Sequence, residues 1–138
     1  MTTTGTRKAV AASPAALWTL LIVDAALLAT SGAIHLNLWP DYKHVHILGP
    51  LFLLQVIAAF VIALAVLVTR HVLAVAAGLA LVLGTILGFI LVITTGLFGF
   101  KLPFVSGEAY TTLVVEIVAV ITLAVTARLL LARRTGRH

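Results

Sequence analysis

Asp24, His35, Gln55 and Glu116 each stand inside a long apolar stretch of this chain. A charged side chain at the centre of a bilayer costs roughly 2.5–3.5 kcal/mol, so residues of this kind have to be paired or used. Asp24, Leu28, Ser31 and His35 follow steps of four, three and four, which places them on one face of a helix. Glu108, Thr112 and Glu116 form a second stripe at steps of four. Both stripes should face other helices, because lipid offers their polar atoms no partner. A histidine near an acid at similar depth can act as a ligand or a proton carrier. The competing reading is a neutral histidine that hydrogen-bonds a neighbouring helix and holds the two together.

The elements that must position these residues follow from composition. The chain of 138 residues is 62% hydrophobic and 9% charged, against about 25% charged in a soluble domain. Lipid must therefore be the solvent for most of it. Apolar runs at about 15–38, 47–68, 72–98 and 109–131 each approach the ~20 residues that cross a bilayer. The expected fold is all-α: an integral membrane four-helix antiparallel bundle over 15–131, with a tail at 1–14 and a basic tail at 132–138. Short connections make neighbouring helices antiparallel. The third run is long enough to tilt or to end in a bent segment at Gly96 and Gly99. Ser31-Gly32-Ala33 resembles a leader cleavage site. Asp24 interrupts that segment, however, and the run continues to Leu38, so the first run reads as a span.

The net charge of +5 is a matter of topology. Arg7, Lys8, Arg70, Arg128, Arg133, Arg134 and Arg137 fall at one end of the runs, and only Lys43 and Lys101 at the other. That seven-to-two split puts both termini in the cytoplasm of a multi-pass plasma-membrane protein and the histidine-bearing first loop outside. No aromatic residues interleave with the basic ones, so nucleic acid is not an expected partner. The lipid bilayer is, together with other membrane proteins or a second copy of the chain. Gly84 and Gly88 form a small-xxx-small pair in the third run, expected to bring helix backbones close.

Depth decides which polar groups can meet. With a helical rise of about 1.5 Å per residue, His35 lies ~5 Å below the outer end of its helix, Glu116 ~10 Å and Gln55 ~12 Å. Thr94 and Thr95 come to ~5 Å, so each helix would contribute a polar side chain to the outer half. Asp24 lies ~10 Å deeper than Glu116, which leaves water or Ser31 to link the two.

His44 and His46 could join His35 around a metal ion if their segment is extended, since alternate residues then point the same way. An exposed loop with two ordinary histidines is the favoured alternative. The chain has no cysteine, which removes thiolate metal sites and dithiol chemistry. Only His35 is clearly inside a span, so paired-histidine haem ligation has no second ligand. No cofactor is expected.

The run His35-Leu36-Asn37-Leu38-Trp39, then Tyr42, then Gly49-Pro50-Leu51-Phe52-Leu53-Leu54-Gln55 resembles a pattern in small, uncharacterised four-helix membrane proteins of actinobacteria. Leu97-Phe98-Gly99, Glu116 and Arg133-Arg134 stand where that group carries similar residues. The resemblance implies a fold and a source, and no activity. In layout alone the chain is also loosely similar to DoxX-like proteins.

Three functions are compatible with these residues. The first in order is an accessory or interaction protein of the cell envelope, with the polar cluster as internal glue. The second binds or transports a small ligand, proton or cation at an outward site of His35, Gln55 and Glu116, with Ser31, Asp24, Thr94, Thr95 and Thr112 around it. A membrane enzyme or quinone-binding protein comes last, because no nucleophile–base arrangement or cofactor motif is present.

Overall fold

The computed structural model describes residues 12–136. Arg7, Lys8 and Arg137 of the charge count lie outside them. Four helices follow one another: α1 Pro14–Tyr42, α2 Leu48–Thr69, α3 Val72–Thr94 and α4 Gly107–Thr135. All four are long and apolar enough to cross a bilayer. They pack in a ring, each against the next and α4 back against α1, with little contact across the α1–α3 diagonal.

Local chemistry sets the helix ends. Ser13 caps α1 by accepting from the Ala16 amide at 3.1 Å, and Pro14 occupies the first turn, where its missing N–H costs nothing. The Nδ1 atom of His71 caps α3 by accepting from the Leu73 amide at 3.1 Å. Ser106 caps α4 by accepting from the Ala109 amide, and Glu108 in the first turn faces the positive end of the helix dipole.

Three boundaries depart from the sequence expectation. α1 does not stop at Leu38 but continues through Pro40 to Tyr42. A proline there removes a single backbone bond, and the Tyr42 ring stacks on Phe52 with centroids 4.9 Å apart. α3 stops at Thr94, four residues before Phe98, because Gly96, Phe98 and Gly99 take φ of 88°, 50° and 81°. No helix continues through that left-handed region. α4 runs on to Thr135, since Arg and Leu are good helix formers whether or not lipid surrounds them.

The apolar core occupies the half of the bundle away from the 43–47 and 95–106 connections. Leu21, Leu28, Val66, Val75, Val82, Ala119 and Leu123 are almost completely buried there. Gly78 belongs to this core. A methyl group in its place would lie 3.1 Å from Leu28 and 3.4 Å from Leu123. Gly32 similarly brings α1 against Ala59 of α2, at 3.0 Å from such a methyl. Gly84 and Gly88 do not act this way. A methyl group at either position meets nothing within 4 Å, so the expected close helix contact is absent at the pair. Both glycines border a cavity instead.

Candidate functional site

That cavity has a volume of about 430 Å³ and is lined by side chains of all four helices and of the 95–106 connection. It falls within the range of small-ligand pockets, roughly 300–1,000 Å³. Most of its wall is Leu, Phe, Val, Ala and Gly. The polar groups along it are His35 and Tyr42 from α1, Gln55 from α2, Thr85 from α3, and Thr112 and Glu116 from α4.

α1 and α4 hold the polar side of the cavity rigidly. The Ser31 hydroxyl donates to Oε1 of Glu116 at 3.2 Å, joining two buried residues across the helix interface. The other threonine and serine hydroxyls within helices turn back to their own helix, as Thr112 does to the Glu108 carbonyl and Thr85 to that of Leu81. Ser31 is the exception, and it holds a carboxyl group that is only 1% exposed.

One turn further along α1, Nδ1 of His35 lies 2.9 Å from the Ser31 carbonyl. A carbonyl only accepts, so Nδ1 carries the proton and donates. In the neutral ring Nε2 is then an acceptor. His35 also leans on Phe52, ring centroids 5.3 Å apart. Ser31 thus fixes Glu116 through its side chain and His35 through its backbone. Gln55 is different. It is 9% exposed, it lines the same cavity, and its Nε2 is buried with no hydrogen-bond partner.

Of the residues expected from sequence, His35, Gln55, Thr112 and Glu116 come to one cavity, with Ser31 directly behind it. Thr94 and Thr95 do not join them. Both are exposed, and their hydroxyls bond to the Ile90 and Gly96 carbonyls. A threonine that satisfies itself on its own backbone needs no interior partner. The polar group α3 contributes is Thr85, which sequence spacing alone does not single out. Its one signal is that it directly follows Gly84.

Asp24 belongs to a different place. It is completely buried on the α1–α4 interface, ~16 Å along α1 from His35. Thr122 and Thr126 face it, but neither of its oxygens has a hydrogen-bond partner.

His44 and His46 are exposed in the 43–47 connection, which is a run of turns and not an extended strand. The premise that they point the same way therefore fails. Among the described residues no three His, Cys, Asp or Glu side chains come together to hold a metal ion.

Compared with protein-family models, curated proteins and solved structures, the chain matches none. The functional reading rests on the geometry of the chain itself.

Proposed function

We propose that this is a multi-pass membrane protein that binds a small, largely apolar molecule bearing a hydrogen-bond acceptor such as a carbonyl oxygen. The observation that carries this is Gln55. Interhelical glue accounts for Ser31 and Glu116, bonded across the α1–α4 interface, and His35 is bonded to its own helix through the Ser31 carbonyl. These bonds leave a buried amide donor unsatisfied, at a cost of about 1–3 kcal/mol. Gln55 lines an apolar cavity, and a turn of its side chain would bring that donor to a ligand acceptor there. The reading therefore moves ahead of the accessory role that comes first on sequence alone.

The test uses a long-chain methyl ketone bearing a photoactivatable diazirine, with the protein in lipid nanodiscs. Adducts are expected on cavity residues of the native chain, and Gln55→Leu should reduce them about tenfold, the effect of one lost hydrogen bond in a dry site. Labelling confined to outward-facing residues such as Val68 and Leu73, or unchanged by Gln55→Leu, would remove the site.

In this reading the four helices cross the plasma membrane with both termini in the cytoplasm. The basic end carries Arg70, Arg128, Arg133 and Arg134, and the cavity end Lys43 and Lys101. Trp18, beneath the Arg70 guanidinium at 4.9 Å, and the exposed Tyr110 supply interfacial aromatics near opposite ends. Because the chain has no cysteine, single replacements report cleanly. Lys43→Cys should react with an impermeant thiol reagent in intact cells and Arg133→Cys should not. The inverse labelling pattern would reverse the orientation.

A further inference from the structure

The walls of the cavity are unequal. The lining residues from α1 and α4, among them His35, Thr112 and Glu116, are buried or half-buried. The exposed lining residues all come from α2 and α3: Leu51, Leu54, Ala80 and Gly84. Leu54 is 60% exposed while forming part of the cavity wall. Gly84 has no side chain to close the gap, and the space beside its Cα is open.

The end nearest the connections is covered. Tyr42 stacks on Phe52 at 4.9 Å and receives Phe100 edge-on at 5.9 Å, so three rings from α1, α2 and the 95–106 connection form a cap. The chain beyond α3 is pinned there by two bonds between Leu97 and Phe100 and by the Leu102 amide donating to Val92. The cavity is therefore closed at the end and open at the side.

The side opening lies at mid-height. Gly84 is ~15 Å along α3 from its Thr94 end and ~18 Å from its Val72 end. In a membrane that position meets acyl chains and not water.

We propose that the occupant of the cavity passes sideways between α2 and α3, over Gly84, so that the ligand is an amphiphile drawn from the bilayer. Its acceptor head reaches the Gln55 amide, and its apolar body lies along Leu81, Phe89 and the two glycines, trailing toward Leu54. The proposal rests on the binding reading above. It adds the route and the ligand's class: a lipid-soluble molecule with one polar end, not a water-soluble solute. A small-residue pair alone would not argue for this. Gln55, which lines the same cavity and whose buried amide nitrogen has no partner, supplies the independent reason for a ligand.

The experiment follows labelling rates with the same diazirine ketone dissolved in the nanodisc lipid. Gly84→Leu places a side chain in the opening, where its Cβ meets nothing within 4 Å, and should slow cavity labelling about tenfold. Leu54→Trp, on the opposite lip, should slow it similarly and serves if Gly84→Leu fails to fold. Tyr42→Ala, which opens the aromatic cap, should not accelerate labelling, because entry does not pass the cap. Rates unchanged in both lip variants, or a large acceleration in Tyr42→Ala, would overturn the lateral route while leaving the binding reading intact. Absence of cavity labelling in the native protein would overturn the binding reading and the route with it.

Discussion

Gly49→Ala is expected to destabilise the bundle by about 2–3 kcal/mol, a large effect for one methyl group. The 43–47 connection folds back over the first turn of α2, with the Val45 amide donating to the Tyr42 carbonyl and the Gly49 amide to the Val45 carbonyl. A methyl group at Gly49 would lie 2.6 Å from the Lys43 carbonyl oxygen and 3.0 Å from its Cα. These are backbone atoms, so relief requires moving the turn and not a side-chain tip. That movement would also displace Tyr42 from Phe52 and loosen the aromatic cap. Gly88→Ala is the control. Its methyl meets nothing within 4 Å, and replacing glycine in a helix interior normally gains about 0.5–1 kcal/mol. Unfolding of the two variants in detergent should therefore move in opposite directions. Equal midpoints would show that the connection is not packed against α2 as described.

Asp24→Asn is expected to stabilise the protein by about 1–3 kcal/mol. Both Asp24 oxygens are buried without a partner. The hydroxyls that face it are turned to their own helix, Thr126 donating to the Thr122 carbonyl at 2.9 Å and Thr122 to the Ala119 carbonyl at 3.2 Å. They offer lone pairs to a side chain that itself offers lone pairs. Asparagine keeps the shape and presents two N–H groups to those oxygens. A gain in thermal midpoint would show that Asp24 is retained at a cost in stability, which calls for a reason other than folding. An unchanged midpoint would mean that the carboxyl already donates a proton of its own. A loss would require that the threonine hydroxyls turn toward it.

Much of the fold can be read from residue types because lipid imposes a simple rule on length and polarity. The four apolar runs are of this kind. The ends were less legible. Whether α1 crosses Pro40 depends on Tyr42 meeting Phe52, a contact between residues that hydropathy treats separately. In the site, the four-residue steps of Ser31–His35 and Thr112–Glu116 show which face turns inward, and depth along the helix predicts that Gln55 can reach the same level. The glycine pair misled for a physical reason. Missing side chains permit close packing, but they equally permit an opening, and the choice depends on the neighbouring helix. Thr94 and Thr95 misled because a hydroxyl can satisfy itself on a nearby backbone carbonyl, one turn back for Thr94 and on the next residue for Thr95.

The polar contacts between α1 and α4 bear on the order in which the protein can be built. Ser31 and Glu116 are 85 positions apart, and Asp24 likewise faces residues of the last helix. In the membrane reading proposed above, α1 reaches the bilayer during synthesis before α4 exists, carrying Asp24 and Ser31 with nothing opposite them. An aspartate at the centre of a lone span costs roughly 2.5–3.5 kcal/mol on insertion. The first helix is thus weakly committed to the bilayer until the fourth arrives, whereas α2 and α3 carry few polar side chains and settle as a hairpin without help. Assembly then resembles closing a clasp: the middle hairpin anchors the nascent chain, and the two outer helices become permanent together.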